Sequence, residues 1–232
     1  MFSETDRRDG PDDAFIEELS RLKRQGASVL VVGSTRASQQ TETCRRLLGQ
    51  AIERPRRRIL VSTTGETGPI SDVVSEQTAD RLSVITHDVQ TRSATASESS
   101  PTLPIAETPT RTETLVDLGV AISSAIEAFD TAADGLEPSE LRIGVDSLLP
   151  LLEEYSREQV FRFVHLTNGR TRDADGMIHY LLPVEREADI VSVLAPLFDV
   201  IVELRERNGV RQERWTLKNG TLCSGWISTT RV

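Results

Sequence analysis

Apolar positions along this chain fall into short runs separated by amphipathic stretches, an alternation that predicts strands connected by helices. Ser28 to Val32 reads SVLVV, short and apolar enough for a strand buried on both faces. Gly33 then opens a polar loop, and Cys44, Leu47, Leu48 and Ala51 return at helical spacing. Ahead of this unit, Phe15, Leu19 and Leu22 mark a helix that starts near Pro11 and Asp12, keeps Glu17, Glu18, Arg21 and Arg24 in water, and stops at Gly26. Further strands are predicted at Ile59–Ser62, Leu82–Val89, Leu141–Val145 and Met177–Val184. Between them, Leu115, Leu118, Ile122, Ile126 and Phe129 form a helical stripe opened by a capping box from Thr110 and Glu113 and closed by Gly135. Ser156 and Gln159 open another helix, with Val160, Phe161, Phe163 and Val164 as its apolar face and Gly169 as its stop, and Ala188–Leu197 reads as a short one.

The ending changes in kind. Three alternating runs within residues 198–229 are separated by Asn208-Gly209 and Asn219-Gly220, and Asn-Gly between alternating runs is a strong signal for a type I′ hairpin. An antiparallel β-meander is expected there, with Trp215 and Trp226 on its inner face. The fold class is therefore α/β: a mostly parallel central sheet with helices on both faces and a C-terminal antiparallel meander.

Composition sharpens the picture in a few places. From Thr91 to Thr112, ten of 22 residues are Ser or Thr and three are Pro, too little apolar surface to offset the entropy of ordering, so 91–112 reads as a flexible excursion inside one domain spanning 11–232. Residues 1–10 read as a disordered N-terminus. The net charge is −9, and 27 basic residues include only Lys23 and Lys218 as lysines. An acidic, Lys-poor surface suits solubility in strong salt and argues against nucleic acid as a partner. No apolar run approaches the ~20 residues of a membrane span. Cys44 and Cys223 match no metal or disulfide spacing, and a cytoplasmic protein is expected.

Candidate chemistry concentrates at the first strand and loop. A phosphate-binding loop carries G-x-x-x-x-G-K-[ST], with backbone N–H groups around the phosphates, a Lys on their outer oxygens and a hydroxyl on Mg²⁺. Counted from Gly33, the second Gly position is Ser38, the Lys position Gln39 and the hydroxyl position Gln40, with Thr41 one place late; Ser34 and Arg36 complete the loop. Asp146 follows the Leu141–Val145 strand at the edge where α/β sheets bind ligands, either as a carboxylate for the water shell of Mg²⁺ or as a helix cap. His87 and His165 read as structural histidines, and the Arg-rich run ERPRRR (Glu53–Arg58) as a solvated connection.

Four segments carry a family resemblance: GASVLVVGST at Gly26–Thr35, CRRLLG at Cys44–Gly49, VDSLLPLL at Val145–Leu152 and FRFVH at Phe161–His165. On these the chain resembles the RecA/KaiC superfamily of P-loop ATPases, and more narrowly the haloarchaeal HTR-like group of degenerate KaiC-like proteins. The resemblance implies a three-layer RecA/KaiC-like P-loop fold and a vestigial nucleotide site at Gly33, Ser34, Arg36, Ser38, Gln39, Gln40, Thr41 and Asp146. Of the superfamily's usual set only Gly33 and Asp146 stand, and the second strand ends Ser62-Thr63-Thr64-Gly65 where an activating acid is usual. The expectation is a non-catalytic regulatory or interaction protein, with no catalytic residue, metal or cofactor, ATP and Mg²⁺ included, a protein partner, and a homo-oligomer left open. The alternatives are a weak nucleotide binder or slow ATPase with a loop rewired around Arg36 and, third, a RecA-like nucleic-acid-binding protein.

Overall fold

In the computed structural model, which describes residues 13–49, 56–65, 81–88, 109–217 and 220–229, the first predicted run is strand β1 (Ala27–Val32), buried at every position. It can be apolar throughout because both its faces are covered. Its even-numbered residues, Leu30 and Val32, enter one core, and its odd-numbered ones, Ala27, Val29 and Val31, enter another. The remaining strands are β2 (Arg57–Ser62), β3 (Leu82–His87), β4 (Thr110–Thr112), β5 (Leu141–Val145), β6 (Met177–Leu182), β7 (Val200–Arg207), β8 (Val210–Leu217) and β9 (Leu222–Ser228). Together they make one sheet in the order β4-β3-β2-β5-β6-β1-β7-β8-β9. Pairing is parallel from β4 to β7 and antiparallel from β7 to β9.

Among the described residues, six α-helices cover the sheet: α1 (Asp13–Gln25), α2 (Ala37–Leu47), α3 (Leu115–Ala133), α4 (Leu149–Glu154), α5 (Arg157–Asp173) and α6 (Asp189–Leu194). The larger core joins α3 to α6 to one sheet face through residues such as Leu118, Ile122, Ile126 and Val160, each at most 1% exposed. The opposite face carries α1 through Phe15 and Leu22, and α2 through Leu47 and Leu48. The described residues thus form a mixed α/β architecture with helices on both faces, as the alternation predicted. The Asn208-Gly209 turn has φ of 52° and 73°, the positive values a type I′ hairpin needs.

Several expectations need correction. Thr110 does not cap α3: residues 110–112 pair with β3 as an edge strand, and the cap is Thr114, whose hydroxyl accepts from the Asp117 N–H at 3.1 Å. The end of the 91–112 segment is therefore a strand, and residues 91–108 lie outside the described residues, as do 1–10 and Asn219. Gly169 does not stop α5, which continues to Asp173 because Thr167, Asn168 and Thr171 extend its buried stripe past the glycine. Phe161 is exposed rather than part of that stripe. Glu18 is buried, held by the Arg21 guanidinium of the next turn. Trp215 packs against the second core, but Trp226 lies opposite Arg214 on the other face of the meander, with the Arg205 guanidinium 3.5 Å from its ring centroid.

Candidate functional site

At the carboxyl edge of the parallel strands, β2 ends in Ser62 and β5 delivers Asp146. The two strands are neighbours in register, with Val61 opposite Val145 and the Asp146 N–H donating to the Val61 carbonyl at 3.0 Å. This adjacency brings the Asp146 carboxylate onto three consecutive residues of the β2 end. Its Oδ1 accepts from the Thr63 N–H at 2.8 Å and the Thr63 hydroxyl at 2.9 Å; its Oδ2 accepts from the Ser62 hydroxyl at 3.0 Å and the Thr64 hydroxyl at 2.8 Å. Asp146 therefore caps no helix. The turn into α4 is made by Ser147, whose Oγ accepts from the Leu149 N–H. Ser62 and Thr63, at most 1% exposed, make the carboxylate a cross-strand brace between β2 and β5.

The loop after β1 is equally committed to its own chain. It holds only Gly33 to Arg36, because α2 already starts at Ala37, so Ser38, Gln39 and Gln40 lie in the first helical turn. The Gly33 N–H donates to the Val184 carbonyl at 2.8 Å. A Cβ at Gly33, whose φ is 130°, would stand 2.3 Å from the Leu204 carbonyl oxygen, so a close approach to β7 accounts for this glycine. Gln40 folds its amide back over the loop, donating to the Gly33 carbonyl at 3.0 Å and the Thr35 carbonyl at 3.3 Å. Gln39, one position earlier and turned about 100° around the helix, donates instead to the Arg205 and Gln212 carbonyls of the β7–β8 hairpin.

The eight candidate residues are consequently divided. Gln40, Thr41 and Asp146 meet at a cavity of about 160 Å³ beneath α2. Arg36, Ser38 and Gln39, with Thr41 reaching both, line a separate cleft between α2 and the meander, where Arg36 pairs with Glu206 at 3.3 Å and the Ser38 hydroxyl accepts from Arg211. Ser34 is exposed and bonded to Glu185. Of the Arg-rich connection expected to be solvated, residues 53–55 lie outside the described residues, and two arginines have structural roles: Arg58 donates to the Leu48 and Gly49 carbonyls at the end of α2, and Arg57 pairs with Glu140 at 2.9 Å. His87 is buried, facing the Thr112 hydroxyl of β4 at 3.1 Å and the Tyr155 hydroxyl at 3.3 Å, and burial lowers its pKa.

Two groups in the cavity wall carried no candidate role in the sequence, Cys44 and His179. Burial pushes the Cys44 thiol up to about 12, with the Asp146 charge adding, so it is a neutral apolar group and no nucleophile. His179 is pushed down to about 3, chiefly by burial and then by the Arg142 charge, and stays neutral over the working range. Its ring lies over Gly144, where a Cβ would come within 2.8 Å of Cε1. The sole sequence signal for this contact is a glycine inside an otherwise apolar strand.

Mg²⁺ with a nucleoside triphosphate, the ligand the P-loop resemblance implies, does not fit these residues. The Asp146 oxygens face four donors of their own chain, and the Gly33 N–H and carbonyl are both taken. No side chain at the Lys or hydroxyl position faces the loop with charge. Among the described residues no group of three or more His, Cys, Asp or Glu is placed to hold a metal ion, and no helix is long and apolar enough to cross a membrane.

A profile for DUF7504, a family of unknown function, matches residues 26–204. The chain belongs to this family. No curated protein matches it significantly. The Asp146 brace, the Gly33 loop and the cavity under α2 all fall within the DUF7504 match, whereas α1, β8 and β9, and with them the Gln212 anchor of Gln39, lie outside it.

Proposed function

We propose that this DUF7504 protein is a non-catalytic regulatory or protein-interaction protein, built on a degenerate, three-layer RecA/KaiC-like scaffold whose former nucleotide edge has become structural. The observation that carries this reading is the Asp146 carboxylate: the group that in a working relative would face Mg²⁺ is saturated by Ser62, Thr63 and Thr64. Size supports it. The cavity beside Asp146, about 160 Å³, is smaller than the ~300–1,000 Å³ of typical small-molecule pockets, and the larger cleft between α2 and the meander, about 1,100 Å³, does not reach Asp146. Charge supports it too, because Arg36, on which a rewired loop would depend, is paired with Glu206 on the meander side.

Thermal unfolding with and without millimolar ATP and Mg²⁺ tests the reading. A ligand that binds the folded state alone at a hundredfold excess over Kd adds ~2.7 kcal/mol, a rise of several degrees in Tm. The expected result is no shift and no phosphate release above a blank. A Tm that climbs with ATP concentration would refute it.

A further inference from the structure

Away from the Asp146 edge, at the amino ends of the parallel strands, three guanidinium groups gather. Arg58 of β2, Arg142 of β5 and Met177 of β6 are register partners across three neighbouring strands, so their side chains leave the same sheet face, the one that α2 covers. Arg56, just before β2, brings a third cation: its charge and that of Arg58 both act on the Arg142 guanidinium. Arg142 stands about 13 Å of strand before Asp146, so the cluster is separate from the carboxylate brace.

Two of the three cations are met by main-chain oxygens. Arg56 donates to the Ser139 carbonyl, and Arg58 closes the end of α2 through the Leu48 and Gly49 carbonyls, both at 3.1 Å. Arg142 is served worse. It is only 7% exposed, it donates to the Met177 sulfur, a weak acceptor, and its Nε has no acceptor among the described residues. Neither Arg58 nor Arg142 has an ion pair among the described residues. The acid nearest to Arg142 in sequence, Glu140, is held by Arg57 at 2.9 Å and by the Glu137 N–H at 3.1 Å. Burial first, and then the charges of Arg56 and Arg58, push the Arg142 pKa down to about 10, which still leaves it a cation at neutral pH. A charge held inside a protein without a partner is destabilising, and like charges on adjacent strands add to the cost. What relieves both is an anion. A planar guanidinium with an unbonded Nε matches two oxygens of one oxyanion, and the neighbouring cations favour a dianion over a single carboxylate.

We propose that the Arg142 guanidinium, flanked by Arg56 and Arg58, is an oxyanion site whose ligand is a tetrahedral dianion of the phosphate and sulfate class. The proposal stands independently of the reading of Asp146.

Thermal unfolding of the full chain in a chloride buffer, with inorganic phosphate titrated in at constant ionic strength, tests it. The wild-type Tm rises along a saturating curve, by about 3–5 °C at tenfold excess over Kd. General exclusion of phosphate from protein surfaces also stabilises, but it does not saturate. A parallel titration with sulfate saturates as well, and the anion with the lower midpoint is the better ligand. Arg142→Met fills the space without a charge, melts cooperatively and loses the saturating part. Arg142→Lys keeps the charge without the planar fork, and its Kd rises about tenfold. Should the methionine variant fail to fold, the lysine variant and calorimetric titration of the wild type with phosphate still decide. A wild-type Tm that answers phosphate and sulfate no differently from chloride would overturn the proposal, as would a saturating rise that survives Arg142→Met unchanged. If Glu53→Gln gains a response to phosphate that the wild type lacks, the counter-charge of Arg142 belongs to this chain and the proposal fails.

Discussion

Replacing Asp146 by Ala should destabilise the protein even when no metal or nucleotide is present. The carboxylate accepts four hydrogen bonds of 2.8 to 3.0 Å from the β2 end. Truncation leaves the Thr63 N–H without its acceptor at a site 1% exposed, and an orphaned buried donor costs about 1–3 kcal/mol. The Thr63 hydroxyl keeps a partner in the Ser147 carbonyl at 2.6 Å, so its loss is small. The Ser62 and Thr64 hydroxyls are free to rotate and have further interactions of their own, so each loses no more than an ordinary hydrogen bond, about 0.5–1.5 kcal/mol. The sum is roughly 3 kcal/mol, read as a fall in urea midpoint at constant slope. Asp146→Asn should lose less, because its carbonyl still serves Thr63 while its amide meets hydroxyls able to turn and accept. The measurement belongs in EDTA. A carboxylate kept for Mg²⁺ is nearly free to remove when no metal is bound, so a loss below about 1 kcal/mol for the alanine variant would refute the brace.

Three further outcomes follow from the same geometry. His179 stays neutral in the folded state down to about 3 whereas the unfolded chain takes up the proton near the usual 6.5; within that window the unfolded state binds more protons, so stability falls as pH drops below 6.5. Urea titrations at pH 6.5 and 5 should differ by about 2 kcal/mol from this group, and His179→Gln should remove that part of the slope; an unchanged slope contradicts it. Gly144→Ala should cost about 1–3 kcal/mol by driving a methyl into the His179 ring, and a neutral result would show that the ring moves aside. Gln39→Ala frees the Arg205 and Gln212 carbonyls, so hydrogen exchange should quicken across the β7–β8 hairpin before the parallel strands, and uniform protection would count against the anchor.

Much of the sheet was legible because burial on both faces leaves an unambiguous mark: SVLVV and LRIGV could hardly be other than interior strands, and Asn208-Gly209 fixed a hairpin. Strand β4 was not, since Thr110–Thr112 is polar and takes its extended form from pairing with β3. The location of Asp146 at a strand end could be read from local pattern. Its partners could not: they sit more than 80 residues earlier, and the neighbourhood of β2 and β5 is a fact of strand order. The sequence shows that Ser62-Thr63-Thr64 lacks an acid, yet the positive content of that stretch, three hydroxyls and an amide aimed at one carboxylate, appears only when the strands are side by side. Gln39 and Gln40 teach the same lesson at shorter range. Aligned on a loop motif they are neighbours at one site; on a helix that begins at Ala37 they face different clefts. Likewise Trp215 and Trp226 fall on opposite faces because the pairing of β8 with β9 sets Trp226 against Arg214.

The most direct test of the central claim is residue-resolved hydrogen exchange at the Thr63 amide, measured in EDTA and again with saturating ATP and Mg²⁺. A carboxylate already occupied by its own chain predicts strong protection of Thr63 in EDTA, reduced in Asp146→Ala, and the same protection when nucleotide and metal are added. A Thr63 amide that exchanges freely in EDTA and becomes protected only with ATP and Mg²⁺ would show that the Asp146 edge is a working ligand site, and would contradict the account.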